Sequence, residues 1–180
     1  VVEILQRQLA ASPLDVGPVA GAAHEREQRG APGLALIRHG QTPSNVKYLL
    51  DTNACIAHLR GRESHVTARL RRLAPGDVAV CSVVKGELLF GARRSRDPDR
   101  ERAVVDVFLA PLMSLPFDDA AAERYSEIRE HLESAGARIG AYDLQIAAIA
   151  LSNGLTLVTH NTREFSRVPG LTWEDWQVPP

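Results

Sequence analysis

From residue 48 onward, short runs of apolar residues alternate with longer stretches whose apolar positions recur every three or four residues. The short runs predict strands, and the longer stretches predict helices with one buried face. Strands are predicted over 48–51, 78–81, 112–115 and 155–159, with a short last one near 171–173. Helices are predicted over 54–60, 63–73, 82–94, 97–109, 118–134 and 143–153. This alternation predicts an α/β fold, in which helices cover both faces of a central parallel sheet.

The ends of several predicted elements carry residues that typically begin or stop helices. Ser82 follows the second strand and is a good N-cap for the next helix. Asp143 opens a helix of nearly unbroken apolar residues, and Asn153 with Gly154 ends it. A helix that is apolar on almost all sides is expected to be buried.

Residues 1–46 have a different character from the rest of the chain. Glycine and proline recur through 13–33, and the segment 25–29 is charged. Because this sequence lacks the periodicity of a strand or a helix, we predict a weakly structured N-terminal extension over 1–46. The folded domain is then expected to cover 47–180.

One segment of the extension, Leu-Ala-Leu-Ile-Arg-His-Gly-Gln-Thr over 34–42, predicts a strand that runs into a loop. It resembles the signature of the histidine phosphatase and phosphoglycerate mutase family, in which the histidine after the arginine becomes phosphorylated. The resemblance implies phosphoryl transfer through His39, with Arg38 beside the phosphoryl group. Such an enzyme also needs a second histidine and further arginines from a fold of its own, which the following residues do not supply.

Composition narrows the class of protein. At 180 residues and 44% apolar content, the chain suits one domain with an appendage. Its 21 lysines and arginines nearly balance 22 aspartates and glutamates, so it has no overall basic field. No apolar run reaches the ~18 residues of a membrane span and no secretory pattern opens the sequence, so we expect a cytoplasmic protein without membrane contact.

Cys55 and Cys81 lie in apolar surroundings and are predicted to be buried, reduced thiols.

Three acidic residues stand out by their position along the chain. Asp51 ends the first predicted strand, Glu87 lies in the helix after the second, and Asp143 lies in the first turn of the apolar helix. Taken singly, the two aspartates also suit ordinary helix starts, and Glu87 suits a solvated helix face. At one rim of a parallel sheet, three carboxylates would repel one another unless a divalent cation neutralised them. Oxygen ligands alone favour Mg²⁺ or Mn²⁺ over zinc.

Four segments carry short motifs in a fixed order: Tyr-Leu-Leu-Asp-Thr-Asn at 48–53, Val-Val-Lys-Gly-Glu-Leu-Leu-Phe-Gly-Ala at 83–92, Gly-Ala-Tyr-Asp at 140–143, and Leu-Val-Thr-His-Asn-Thr-Arg-Glu-Phe at 157–165. Together they resemble the PIN-domain endoribonucleases, and more narrowly the VapC-type toxins of bacterial toxin–antitoxin pairs. The resemblance implies a Rossmann-like parallel sheet and cleavage of RNA that depends on Mg²⁺ or Mn²⁺. It places Asp51, Glu87 and Asp143 on the family's three acidic positions. It also implies a cognate antitoxin that occupies the cleft, and a homodimer.

A fourth acidic position of the family falls near the end of the penultimate strand. Here the chain has His160 and Asn161, where many relatives have an aspartate. Glu164 is one candidate for this catalytic position. Asn161 is another, because its side chain could reach the cation through water.

Polar residues beside the acids have two interpretations. Thr52, Asn53 and Thr159 suit hydrogen bonds that hold the carboxylates in place. Thr52 and Asn53 equally suit a plain capping role at the start of the first helix.

Other residues are candidates for contacts with RNA or with protein partners. Basic residues on one helix-to-loop turn suit RNA phosphates, a solvated patch or an antitoxin contact: Arg93, Arg94, Arg96 and Arg100. Apolar residues at helical spacing suit self-association or ordinary core packing: Ile56, Leu59, Val66 and Leu70. We expect Trp173 and Trp176 to pack at the end of the domain and His58 to lie on an exposed helix face.

Three functions follow from these patterns. The first is a metal-dependent endoribonuclease that acts as the toxin of a toxin–antitoxin pair. The second is phosphoryl transfer through His39, and the third is a PIN-like module that binds RNA without cutting it. The presence of all three acids argues against the third.

Overall fold

The computed structural model describes residues 45–61 and 64–178. Apart from its last two residues, the predicted extension over 1–46 lies outside the described residues. Arg38 and His39, the candidates for phosphoryl transfer, lie outside them as well. Among the described helices, none is long and apolar enough to cross a membrane.

Five strands in the described part of the chain form one parallel sheet. They are β1 (Tyr48–Leu50), β2 (Val78–Cys81), β3 (Met113–Leu115), β4 (Thr156–Val158) and β5 (Trp173–Glu174). Their order across the sheet is β3-β2-β1-β4-β5. In the central register, Leu49 of β1 lies opposite Ala79 on one side and Leu157 on the other.

The connecting segments are helical. The helices are α1 (Thr52–Arg60), α2 (His65–Leu70), α3 (Ser82–Arg93), α4 (Pro98–Leu109), α5 (Asp119–Ser134), α6 (Ala141–Ser152) and α7 (Thr162–Phe165), with a 3-10 turn at Pro75–Asp77. Helix α3 packs on α4, and α5 packs on α6. A parallel sheet flanked by helices confirms the predicted α/β class and its Rossmann-like arrangement.

Side-chain caps explain where several helices begin. Asp51, Asp97 and Asp118 each accept a hydrogen bond from a backbone N–H three residues later, at 2.7, 3.1 and 3.0 Å. These bonds satisfy donors that have no partner within the helix. The predicted cap Ser82 is instead the first residue of α3, because β2 runs on through Cys81 and the extended backbone of Cys81 occupies the N-cap.

The strands and α6 form the centre of the core. Leu49, Leu50 and Leu157 are fully buried, and so is the apolar stretch 146–150 of α6, as its sequence predicts. Cys55 and Cys81 are buried free thiols, which confirms that prediction.

Residues near the end of the domain complete the core. Trp176 is buried with its ring 4.9 Å from that of Tyr48, in agreement with the predicted packing role. Ile56 and Val66 also lie in the core, so two of the four residues proposed as a self-association face are inside the domain.

The strand order creates a crevice between β1 and β4. After β1 the chain continues to β2 on one side, and it reaches β4 on the other side only later. In open parallel sheets, ligands bind outside the carboxyl ends of the strands at such a reversal. Asp51 follows β1 and Thr159 follows β4, so both lie at this crevice.

Candidate active site

Asp51 occupies the carboxyl end of the central strand and is 3% exposed. Its Oδ1 accepts the capping hydrogen bond from the N–H of Ala54 at 2.7 Å, and its Oδ2 accepts one from the Thr159 hydroxyl at 2.5 Å. The second bond spans the crevice from β1 to β4. Asp51 is therefore both a helix cap and a residue of the crevice.

The surroundings of Asp51 favour its neutral form. Burial raises its pKa from 3.8 to about 6, against the opposing effect of the hydrogen bonds from Thr159 and Ala54. The charge of Glu87 adds to the rise. A carboxylate at this position would be stabilised by a nearby positive charge.

Glu87 projects from α3 and is 8% exposed, which excludes the solvated helix face. The hydroxyl of Thr52 donates to its Oε2, so Thr52 holds this carboxylate. Its Oε1 is buried and has no hydrogen-bond partner within the described residues. Burial raises the pKa of Glu87, and the bond from Thr52 opposes that rise.

Asp143 is the third residue of α6, which begins two residues earlier than the sequence predicts. Its Oδ2 accepts a hydrogen bond from the side-chain amide of Asn161 at 3.1 Å. Its carboxylate also lies over Gly140, where an added Cβ would come within 3.3 Å of Oδ2. The absent side chain at 140 thus leaves the space that this carboxylate fills.

The pKa of Asp143 shows that the acids act on one another. Burial has the largest effect and, together with the charge and hydrogen bond of Glu164, raises the pKa from 3.8 to about 7. The charges of Asp51 and Glu87 raise it further. The predicted carboxylates therefore form one electrostatic cluster, which we call the acidic cluster: Asp51, Glu87, Asp143 and Glu164.

Both candidates for the fourth position lie beside Asp143. Glu164 in α7 accepts a hydrogen bond from the backbone N–H of Gly140 at 3.1 Å. Asn161 donates its side-chain amide to Asp143 and its backbone N–H to the Thr159 hydroxyl, at 3.1 and 2.9 Å. Thr159 is thus held by Asn161 while it holds Asp51.

Comparison with known proteins now decides the family. A family model of the PIN domain matches residues 48–171. The chain belongs to the PIN domain family. The tRNA(fMet)-specific endonuclease VapC of Shigella flexneri is 41% identical over 131 residues, which cover 73% of this chain and 98% of that protein. Ribonuclease VapC2 of Rickettsia felis is 35% identical over 130 residues, which cover 72% and 97%.

Solved structures give the same assignment. DNA-bound VapBC from Salmonella typhimurium matches with a TM-score of 0.70 and 39% identity, over 73% of this chain and 98% of that one. VapBC2 from Rickettsia felis bound to a promoter DNA fragment matches with a TM-score of 0.68 and 33% identity, over 73% and 99%. The resemblance to VapC-type PIN domains is therefore confirmed in sequence and in fold.

The acidic cluster of this PIN domain suits a divalent cation in its chemistry. All of its donor atoms are carboxylate oxygens, which Mg²⁺ and Mn²⁺ prefer. The buried Oε1 of Glu87, which is unpaired among the residues that the structure describes, is an acceptor that a cation would satisfy. Across residues 45–61 and 64–178, however, no three side chains among Asp, Glu, His and Cys already converge as a formed metal site.

Other predicted residues have mixed outcomes in the PIN domain. Arg93, Arg94 and Arg96 are exposed, whereas Arg100 is half-buried and its Nη2 has no partner within the described residues.

The prediction of an exposed His58 is wrong. Its Nδ1 lies 2.9 Å from the Thr67 hydroxyl and its ring centre lies 5.2 Å from that of Phe108.

Sequence reasoning missed the part that Gly140 has in the site. Gly140 leaves room for Asp143, and its N–H binds Glu164. The available signal was a glycine three residues before a buried acid, since glycine often marks a close approach of another group to the backbone.

Proposed function

We propose that this chain is a metal-dependent endoribonuclease that acts as the toxin of a toxin–antitoxin pair. The observation that carries this proposal is the acidic cluster at the crevice, above all the buried Oε1 of Glu87, which has no hydrogen-bond partner among residues 45–61 and 64–178. Asp51, Glu87 and Asp143 would hold Mg²⁺ or Mn²⁺, with Glu164 or Asn161 at the fourth position. The VapC names of the relatives support the reaction and the biological class.

A divalent cation bound to such carboxylates polarises a phosphate and lowers the pKa of a bound water. The contribution of the chain is to orient its ligands beforehand. The hydroxyls of Thr52 and Thr159 each bind one oxygen of a carboxylate and fix its rotamer. Asn161 does the same for Asp143.

Proton release is a second contribution of the chain. In the metal-free protein, burial and the charge of Glu164 raise the pKa of Asp143 to about 7, so its carboxyl group holds a proton up to near-neutral pH. Loss of this proton would make Asp143 an anionic ligand.

RNA binding requires positive charge close to a site that is itself acidic. The exposed Arg93 is the last residue of α3, the helix that carries Glu87, and the exposed Arg94 and Arg96 follow it. We assign these arginines to the phosphate backbone of the RNA. Their removal would weaken binding without changing the acidic cluster.

Partners and location complete the proposal. Because the solved relatives include VapBC and toxin–antitoxin complexes, we infer a cognate antitoxin for this chain. We also infer a homodimer, whose contact surface excludes the buried Ile56 and Val66. The site of action would be the cytoplasm, where the RNA substrates are.

Cleavage of a defined RNA tests the proposal. A transcript of bacterial initiator tRNA is a suitable probe, because relatives are named for that substrate. We expect the purified chain to cut it with Mg²⁺ or Mn²⁺ and not with EDTA, while Asp51→Asn stays inactive under all conditions. Binding of the transcript without cleavage would instead indicate a non-catalytic PIN module, and cleavage that continues in EDTA would rule out metal dependence.

A further inference from the structure

A groove of about 500 Å³ opens beside the acidic cluster, between α3 and the start of α6. Glu87 lines the groove and also belongs to the cluster. On the opposite wall, Tyr142 directly precedes Asp143. A ligand in this groove would therefore lie immediately next to the proposed catalytic carboxylates.

Two aromatic rings line this groove and remain in contact with solvent. Phe90 is 44% exposed and Tyr142 is 53% exposed. Exposed large apolar side chains that line one concave surface indicate a binding site, because water solvates them poorly. Flat rings in particular provide stacking surfaces.

Gly86 explains why the groove is open. It lies in the middle of α3, one turn before Phe90, with ordinary helical backbone. A Cβ added there would meet no atom of the described residues within 4 Å, so their packing does not require a glycine. Glycine destabilises a helix interior relative to alanine. The lack of a side chain at Gly86 therefore keeps the groove open.

The chemistry of the lining selects the class of ligand. Apart from Glu87, the described residues that line the groove are uncharged, which disfavours a phosphate inside it. Gln145 offers both hydrogen-bond donors and an acceptor beside the two rings. A flat face with polar atoms at its edge is complementary to such a surface, and a nucleobase has this form.

We propose that the groove binds an unpaired nucleobase of the RNA, on the nucleotide next to the bond that is cut. This inference rests on the proposed ribonuclease function. The strand that brings its phosphate to Glu87 must pass the mouth of the groove, which favours a base over a protein side chain as the occupant. Bases in a duplex are stacked and paired, so the groove restricts cleavage to single-stranded positions.

Gly86→Leu tests the groove without replacing a residue of the acidic cluster. Leucine favours the helix, so the melting temperature should stay the same or rise, while the side chain fills the groove. We expect kcat/KM on the initiator tRNA transcript to fall by about tenfold or more, as for the loss of one base stack. The matched control is Ala103→Leu, which adds leucine to an exposed position of α4 and should leave both quantities unchanged.

An abasic substrate identifies the occupant. After the cut is mapped, each base that flanks it is removed in turn from a synthetic RNA. Removal of the bound base should lower kcat/KM of the parent protein by about tenfold or more. It should not lower kcat/KM of Gly86→Leu any further. Sedimentation of the parent and the variant shows whether self-association changes in parallel.

The possible failures are distinguishable. RNA that stays intact with both Mg²⁺ and Mn²⁺ would overturn the proposed function and this inference together. Cleavage by the parent that is indifferent to every flanking base would overturn the inference alone. A loss of cleavage in Gly86→Leu that follows a loss of self-association would identify the groove as a contact with a second copy of the chain, and would likewise overturn it.

Discussion

At the scale of single residues, Asp51 shows how one side chain can serve the fold and the site together. One carboxylate oxygen caps α1 through Ala54, and the other receives the hydroxyl of Thr159. Each oxygen keeps lone-pair capacity beyond its observed hydrogen bond. Capping and metal binding, which the sequence presents as alternatives, are therefore compatible at this position.

Asp51→Asn separates the two roles. Asparagine caps a helix as well as aspartate does, so we expect the fold to remain, with a free energy of unfolding equal to or above that of the metal-free parent. The loss of a charged ligand should reduce cleavage on the order of a hundredfold or more. RNA cleavage assays and urea denaturation measure the two effects.

The control for this substitution is Asp118→Asn. Asp118 caps α5 in the same way, by accepting from the N–H of Ala121 at 3.0 Å, and it is not part of the acidic cluster. The substitution Asp118→Asn should leave RNA cleavage unchanged. Cleavage by Asp51→Asn within a few-fold of the parent would refute the assignment of Asp51 to a metal site.

The pKa of Asp143 makes the stability of the metal-free protein depend on pH. In the folded state the pKa is about 7, whereas the unfolded value is 3.8, so between these values the folded chain holds the proton more tightly. The free energy of unfolding should therefore fall as pH rises through this range and level off above it. Urea denaturation in EDTA from pH 5 to pH 8 measures the slope.

Asp143→Asn provides the comparison for this slope, because asparagine does not titrate. The variant should lose less stability than the parent between pH 5 and pH 8. His58, whose pKa is lowered by burial, makes the free energy of unfolding rise with pH. Because both proteins contain His58, its effect cancels when their slopes are compared. Equal slopes in the two proteins would contradict the raised pKa of Asp143.

At the scale of elements, local sequence explains the strands and most helix starts. Short apolar runs bounded by polar residues locate β2 without error. The helices predicted from 97 and from 118 begin one residue later, after the caps Asp97 and Asp118, whose side chains act within one turn. The end of β2 was predicted correctly, but the N-cap was not: α3 begins directly after the strand, so Ser82 is already its first residue and Cys81 is the N-cap. His58 is half-buried against Phe108 of α4, a contact that no local pattern contains.

The sequence identifies the acids of the acidic cluster as candidates, but it does not show which residues contact them. Asp51, Glu87 and Asp143 are recognisable from their motifs, each beside an apolar run. The contact between α7 and the start of α6, made by Glu164 and Gly140, depends on how the two helices pack. Nothing in the spacing of 24 residues between them specifies that contact.

This helix contact gives a prediction for Glu164→Gln. The glutamine carbonyl can still accept from the N–H of Gly140, so α7 should stay in place. The loss of charge beside Asp143 should lower cleavage by less than about tenfold, compared with on the order of a hundredfold or more for Glu87→Gln. Steady-state cleavage by the two variants measures the ranking.

Glu133→Gln on α5 is the matched control for Glu164→Gln, because Glu133 pairs with Arg129 on the surface. It should cleave RNA like the parent. A loss in Glu164→Gln as large as that in Glu87→Gln would show that Glu164 is a full member of the metal site.

At the scale of the whole molecule, the sheet order joins residues that are far apart in sequence. The reversal between β1 and β4 brings Thr159 to Asp51 across 108 positions of the chain. The contacts of this site all lie within 51–164, and the PIN domain match covers 48–171. The chemistry that we propose is thus contained in the PIN domain.

A chain that starts at Val46 should therefore fold and cut RNA like the full chain. It keeps the backbone bond from Lys47 to Asp77 at 2.8 Å and their ion pair at 3.0 Å, which hold the start of β1. It loses the exposed hydrogen bond from Asn45 to Gly76, which contributes about 1 kcal/mol or less. Urea denaturation and cleavage of the initiator tRNA transcript measure both properties.

The full chain with His39→Ala is the companion to this truncation. If the phosphatase-like segment has no part in the reaction, the variant should cut RNA at the rate of the parent, because the acidic cluster is unchanged. Incubation of the parent with a phosphate ester should also leave no phosphohistidine. A loss of RNA cleavage in either protein, or a phosphohistidine that His39→Ala removes, would show that the residues before the PIN domain contribute to function.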